Sequence, residues 1–414
     1  MDNLTLCVPR PSSGEDPHKV VLCRAPLPDT IPENHILIRM DRFGFSANNV
    51  TYQALGEAPH FRYFDFHAAP EVNGVSPKTH GVVPVWGFGD VVQSNHPRIP
   101  VGERVYGYFA PARYLLVPVS PSDVNKYSFF IPRPHLPADR RPYNQVIRCA
   151  TDSQYDPAPL AEDLTMLYRP LFWTAFWCED WLNASQYRGA TNVLISSASA
   201  KTAFCLAYLV QKRARPESGT KTVVVGLTSK RNIAFTNGLK LYDEVVSYDS
   251  LENIAIRPEE KWLYVDVAGN DALNARVEKH ISSLVLGVQL GLTNLSPSAP
   301  TASSTKFTTN TSLSSPPTSP SEKSFSMEQF FMPEWLAVRR RQLSIKQITD
   351  MQAVAWRELM KDGRDWVRIE RVYGGPSVEQ AYRNVAQRGT DPTTGMIWSL
   401  WDGPEIGRGT STKL

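Results

Sequence analysis

NVLISSASAKTAFCLAYLVQK, residues 192–212, reads as a strand, a tight turn and a helix. Val193, Leu194 and Ile195 form a short aliphatic run, Ser196 to Ala200 are all small, and from Lys201 the chain carries Phe204, Leu206, Ala207, Leu209 and Val210 at helical spacing. A strand feeding a helix through small residues is the first unit of a dinucleotide-binding fold, in which N–H groups at the helix N-terminus receive a pyrophosphate. The usual G-x-G-x-x-G is absent: the turn runs Ser196, Ser197, Ala198, Ser199, Ala200, Lys201, Thr202, Ala203. Fold and cofactor therefore have to be argued separately, because a Cβ at the second glycine position holds a pyrophosphate off the backbone.

Toward the C-terminus the alternation continues. KTVVVGLTSKRN supplies a second strand and turn, FTNGLKLYDEVVSYD a third strand, KWLYVDVAGN a fourth with Asp266 and Gly269, and SLVLGVQLGLTN a fifth. Strands alternating with helical stretches at this spacing predict a parallel, doubly wound sheet. Toward the N-terminus, residues 20–45 and 82–121 hold short strands separated by Gly and Pro, which predicts a small β-rich unit of barrel type. Between them lies the aromatic-rich HFRYFDFHAAPEVNGVSP, with His60, Phe61, Tyr63, Phe64, Phe66 and His67. Two readings of it stay open: a pocket lining, or an aromatic core with partly solvated histidines. Residues 296–325 are Ser/Thr/Pro-rich and predict a disordered surface excursion. MEQFFMPEWLAVRRRQL and IKQITDMQAVAWRELMK then read as helices, with Arg339, Arg340 and Arg341 on a solvated face. WVRIERVYGG, SVEQAYRNVAQ and GMIWSLWD close the chain as strand, helix, strand.

A chain of 414 residues with 42% apolar content is long enough for two domains. Its charge of +3, from 44 basic against 41 acidic residues, gives no reason to expect nucleic acid as a partner. Five scattered cysteines without a C-x-x-C pair argue against a disulfide framework or structural zinc and for a reducing compartment. No signal peptide opens the sequence, and no run reaches the ~18 apolar residues of a membrane helix. A soluble cytoplasmic protein is the expectation.

HILIRMDRFGFSANNV, WGFGDVVQSNHPRIPVGERVYGY and YLLVPVSP resemble successive pieces of the chaperonin-10-like catalytic domain of the medium-chain dehydrogenase/reductase superfamily. LYRPLFWTAFWCEDWLNASQYRGATNVLISSASAKTA resembles the helix that leads into that superfamily's first cofactor strand. The S-S-A-S-x-K-T-A turn also resembles that of an uncharacterised family known mainly from fungi and bacteria. The resemblance implies an α/β chain: a β-rich chaperonin-10-like domain at 1–165 and 366–414, and a Rossmann cofactor domain at 166–365 containing the excursion. It points to the zinc-independent quinone and enoyl reductase branch, since THGVVPVWGFGDVV lacks the G-H-E triplet and the four-cysteine lobe is missing, so no metal is expected. FGFSANNV departs from that branch's G-[IV]-N-x-x-D element, with Ser46 at the Asn position and Asn49 at the Asp position.

After the second strand an NAD-binding chain presents an acid to the ribose hydroxyls, whereas an NADP-binding chain presents cations to the 2′-phosphate. Here stand Thr228, Ser229, Lys230 and Arg231. Ser229, Lys230 and Arg231 are assigned to NADPH, the other reading being solvated residues that open a helix. Ser197, Ser199, Lys201 and Thr202 are assigned to the pyrophosphate and Gly269 to the loop after the fourth strand. Tyr52, Tyr63, His60 and His67 are the proton-donor candidates, because the resembled enzymes place a substrate-side acid in that region. The function implied is a zinc-independent, NADPH-dependent oxidoreductase. It would act on a carbonyl or activated double bond of a small apolar, polyketide-like metabolite of secondary metabolism, as a homodimer without membrane or nucleic-acid partners. A cofactor-independent hydrolase, lyase or decarboxylase on the same scaffold, which lost glycines would fit, and a non-catalytic scaffold protein stand as alternatives.

Overall fold

The computed structural model describes residues 2–59, 61–213, 222–291 and 327–404; the excursion at 296–325 lies outside them. The described residues up to Leu167 and from Ala353 onward form one compact unit, and those from Tyr168 to Gln352 the other.

The first unit begins with strands β1 (Asp2–Pro9), β2 (Val21–Pro26) and β3 (His35–Phe45), helix α1 (Ala47–Ala54) and the short β4 (His80–Gly81). Strands β5 (Val85–Ser94), β6 (Arg104–Phe109), β7 (Tyr114–Pro118) and β8 (Ser128–Phe130), the one-turn α2 (Arg141–Asn144) and β9 (Gln145–Arg148) follow. Gly87 is required by close packing: a Cβ there would sit 2.7 Å from the Arg42 carbonyl oxygen on β3. The register of β3 against β5 shifts between Met40, opposite Gly89, and Arg42, opposite Phe88, which marks a bulge in β3. Ser46 and Asn49, the two departures from the reductase pattern, close the start of α1. The Ser46 N–H donates to Asn49 Oδ1 at 2.9 Å, and Asn49 Nδ2 donates to the Pro84 carbonyl at 3.0 Å.

Helix α3 (Pro159–Ala184) carries the chain into the second unit. That unit holds β10 (Asn192–Ile195), α4 (Lys201–Lys212), β11 (Val223–Thr228), α5 (Ile233–Gly238), β12 (Glu244–Ser247), β13 (Trp262–Asp266), α6 (Asp271–His280), β14 (Leu284–Gln289), β15 (Met327–Gln329) and α7 (Met332–Gln342). The strands pair in parallel in the order β12-β11-β10-β13-β14-β15. Strand order reverses on either side of β10, so the turn after β10 stands at the switch point where such sheets bind ligands. Met327 to Gln329 differ from expectation. They form a sixth strand, Gly287 opposite Met327 and Gln289 opposite Gln329, because pairing with a free sheet edge outweighs local helical spacing. The helix begins only at Met332, with Pro333 in its first turn.

Helix α8 (Ile345–Asp362) leads back to the first unit, where β16 (Arg368–Tyr373), α9 (Gly375–Arg388) and β17 (Thr394–Ser399) complete the large sheet. Its order is β16-β17-β3-β5-β6-β9-β8, with β7 on β3. The Trp398 ring of β17 stacks on Phe45 of β3 at 4.1 Å. Beneath this sheet lies a charge cluster that the sequence did not announce. Arg42 Nη1 donates to Asp163 Oδ1 and Nη2 to Glu162 Oε2, both at 2.7 Å. Arg104 Nε reaches Glu162 at 2.7 Å, and Arg371 Nε reaches Asp163 at 2.8 Å. Glu162 and Asp163 are wholly buried. Among the described residues no helix is long and apolar enough to cross a membrane.

Candidate functional site

Chemistry-bearing side chains gather in two places, one in each unit. In the second unit the turn after β10 is stitched to its surroundings by its own polar groups. Ser196 Oγ donates to Asp266 Oδ1 at 2.9 Å and accepts the N–H groups of Val267 and Ala268 at 2.9 and 3.0 Å. Ser197 has φ +50°, the left-handed conformation that glycine adopts without strain. Its N–H donates to the Tyr248 hydroxyl at 3.0 Å, and its Oγ lies 3.3 Å from the same oxygen. The Ala198 N–H donates to the Leu227 carbonyl at 2.8 Å, and the Ala200 N–H to that of Ser197 at 2.7 Å. Ser199 Oγ accepts from Thr228 Oγ1 at 3.2 Å and from Asn232 Nδ2 at 3.0 Å, which leaves its own proton to donate.

Helix α4 starts at Lys201 with Ala200 as N-cap and no side-chain oxygen capping the first turn. Lys201 and Thr202, both half-buried, occupy that turn. An uncapped helix N-terminus presents N–H groups and positive dipole to an anion. One strand away, Ser229 Oγ is buried and has no hydrogen-bond partner among the described residues. Lys230 and Arg231 follow in a short 3-10 turn, both exposed and neither ion-paired among the described residues. Gly269 has φ +68°, and its N–H is donated to Asp266 Oδ1 at 2.9 Å, so it shapes the loop after β13. Burial raises the Asp266 carboxyl above the usual range, although Asn274, Gly269 and Ser196 donate to it. Tyr248, Asp266 and Ser196 were missed as a set. The signal for Tyr248 was its place at the end of a strand, in DEVVSYD.

In the first unit Tyr52 and Tyr63 do come together, with ring centroids 4.1 Å apart. Tyr108, Tyr143 and Trp86 complete an aromatic box: Tyr108 lies 6.2 Å from Tyr52, 5.0 Å from Trp86 and 5.3 Å from Tyr143. Asn48 Nδ2 donates to the Tyr52 hydroxyl at 2.7 Å. The Tyr108 ring is buried, and its hydroxyl lies beside the Tyr52 hydroxyl. Burial raises the pKa of Tyr52, Tyr63, Tyr108 and Tyr143, and neighbouring tyrosines add to the rise at the first three, so all four are neutral phenols at neutral pH.

His67 is half-buried, its Nε2 3.2 Å from the Tyr108 carbonyl and 3.3 Å from Arg133 Nη2. Burial and the Arg133 charge push its pKa down to about 3. His60 lies outside the described residues. Among the described residues, no three His, Cys, Asp or Glu side chains group as a metal would require. A surface depression of about 440 Å³ beside Arg10, Glu57, Arg62 and Asp65 has both arginines paired, to Glu57 at 3.1 Å and Asp65 at 2.6 Å.

The family model described as "Protein of unknown function (DUF2855)" matches residues 43–391. No curated protein matches the sequence. Among solved structures, CurA from Vibrio vulnificus aligns over 98% of this chain and 100% of its own, at 14% identity and a TM-score of 0.57. CurA in complex with NADPH aligns over 96% and 99%, at 13% identity and a TM-score of 0.56. A putative NADPH:quinone reductase from Bacillus thuringiensis aligns over 96% and 99%, at 12% identity and a TM-score of 0.51. At such identities the likeness is one of fold. The fold shared with these structures is mixed α/β, with a β-rich unit and a doubly wound parallel sheet.

Proposed function

The chain belongs to the DUF2855 family, and we propose that it is a zinc-independent, NADPH-dependent oxidoreductase acting on a carbonyl or activated double bond of a small apolar metabolite. The observation that carries this reading is the buried, unpartnered Ser229 hydroxyl followed by two exposed cations without ion-pair partners among the described residues. A buried donor without a partner costs about 1–3 kcal/mol, and a 2′-phosphate would supply the acceptor. No acid stands in that turn to favour the unphosphorylated ribose. The uncapped first turn of α4, with Lys201, Thr202 and the free Ser199 proton, would take the pyrophosphate.

NADPH supplies the hydride when bound. The chain's part is to fix the phosphates at these positions and to hold a phenolic proton at Tyr52 or Tyr63 against the substrate oxygen. The complex of CurA with NADPH agrees in fold, and the fold is all that is carried over from it. Occupied N–H groups at Ser196, Ser197, Ala198 and Ala200 favour a second reading, a cofactor-independent enzyme on the same scaffold.

An NADPH titration followed by nucleotide fluorescence separates the two. Saturable binding below ~100 μM, well above the low end of common KM values, is expected, and its absence would sink the reductase reading. Lys230→Glu with Arg231→Glu is expected to weaken NADPH tenfold or more, by about 1.5–3 kcal/mol, and NADH far less. Equal losses would mean that the 2′-phosphate is read elsewhere.

A further inference from the structure

Two of the five cysteines stand side by side. On the antiparallel pair of β1 and β2, Thr5 lies opposite Cys23 and Cys7 opposite Val21, which makes Cys7 and Cys23 diagonal neighbours on one face of the ribbon. Both are free thiols, 0% and 5% exposed, and both belong to one apolar cluster. The Cys7 thiol donates a hydrogen bond to the Cys23 sulfur, with the Thr5 carbonyl at 4.0 Å as its other neighbour. That contact pushes the Cys7 pKa up, with burial adding to the rise, and pulls the Cys23 pKa down against burial. One sulfur therefore gains thiolate character while its neighbour keeps a proton. Cys149, Cys178 and Cys205 stand elsewhere, on the turn after β9 and on helices α3 and α4, and burial pushes the thiols of Cys178 and Cys205 up.

The place of the pair in the sheet lets it close. Strand β2 is the outer strand of the sheet β2-β1-β4, with β1 as its one strand neighbour among the described residues. An outer strand opens locally more readily than a central one and then admits a water-sized oxidant. Diagonal neighbours sit roughly 7–8 Å apart between Cα atoms, whereas a disulfide spans up to about 6.8 Å. The right-handed twist of a two-stranded ribbon narrows that gap, and a strand held on one side alone can move the rest of the way. We propose that Cys7 and Cys23 form a reversible redox modification site, closed to a disulfide by hydrogen peroxide and reopened by a thiol reductant. Cys23 Sγ attacks the peroxide: an S–O bond forms, the O–O bond breaks, and the departing hydroxide leaves as water with the proton that Cys23 releases. Cys7 Sγ then attacks Cys23 Sγ: the S–S bond forms, the S–O bond breaks, and a second water leaves with the Cys7 proton. Two electrons pass from the thiols to one peroxide. The bridge closes a ring around the loop in which Arg10 and Ser12 hold Glu57 and the Pro17 carbonyl accepts from Gln53 Nε2. It stands apart from the oxidoreductase reading.

The test uses the full chain, reduced and then treated with hydrogen peroxide. Remaining thiols are alkylated after unfolding and counted by mass spectrometry. Three of the five cysteines are expected to alkylate, and a trypsin digest should hold peptides 1–19 and 20–24 joined until dithiothreitol separates them. In Cys7→Ser the sulfenic acid on Cys23 has no thiol to close on, so its labelling by dimedone should rise at least about fivefold over the wild type. Five alkylated cysteines, a bridge to Cys149, Cys178 or Cys205, or Cys23 carried to a sulfinic acid with Cys7 still alkylated overturns the proposal. Equal dimedone labelling in the wild type and Cys7→Ser does the same. Should Cys7→Ser fail to fold, the wild-type digest alone decides.

Discussion

Ser197 pays for a missing glycine. A left-handed φ costs a residue with a Cβ roughly 1–2 kcal/mol, and the Tyr248 hydroxyl, which accepts the Ser197 N–H, offsets part of that cost. The same hydroxyl sits on an amide that a pyrophosphate would otherwise use. Tyr248→Phe is therefore expected to tighten NADPH about fivefold, the worth of one hydrogen bond of about 1 kcal/mol, while lowering stability by a similar amount; looser binding would make Tyr248 a ligand instead. The sequence displayed the absence of glycine, but not that a tyrosine 51 positions further on fills the gap, because that contact exists only once β12 has joined the sheet. His67 offers a second test. Its folded pKa of about 3 lies below the ~6.5 of an unfolded chain. Between those values the unfolded chain binds the proton and the folded one does not, so this contribution is full above pH ~6.5 and is lost as pH falls. In His67→Gln, urea midpoints measured from pH 7 to 5 should fall less steeply than in the wild type; parallel slopes would place the ring in water.

Among the elements, α3 is held by charge as well as by apolar packing. Arg42 on β3 bridges Glu162 and Asp163 on α3, and Arg371 on β16 joins at Asp163. Removing one partner of a buried pair costs far more than the net worth of the pair, about 3–5 kcal/mol. Arg42→Leu should lower the unfolding free energy by that amount in a denaturant melt, whereas Lys346→Ala, which breaks a pair whose side chains are 84% and 61% exposed, should change it by less than about 1 kcal/mol. A small loss in Arg42→Leu would mean that water reaches the two carboxylates. The elements themselves were largely legible, since β10 and β13 are runs of apolar residues and α4 has helical spacing. Sheet edges were not: Met327–Gln329 pairs with β14 although nothing in MEQ itself distinguishes strand from helix. Nor was the role of Ser46 and Asn49, which read as departures from the reductase pattern and serve as a helix cap with a tie to Pro84.

For the whole molecule, the parallel order β12-β11-β10-β13-β14-β15 follows from alternation alone, so the fold was readable without the cofactor loop. The site was less so, because its main piece is an unmet group, the buried Ser229 hydroxyl without a hydrogen-bond partner among the described residues. Lack of a partner is a property of three-dimensional surroundings and leaves no mark on residue order. The large sheet has a consequence for biosynthesis. Strand β3, made within the first 45 residues, lies between β5 and β17, and β17 is residues 394–399. A ribosome must therefore add roughly 350 residues after β3 before Phe43, Gly44 and Phe45 meet Trp398, Ile397 and Met396. Throughout translation the nascent chain carries an open, apolar strand edge, the kind of surface that chaperones cover and that pairs wrongly with neighbours on crowded polysomes.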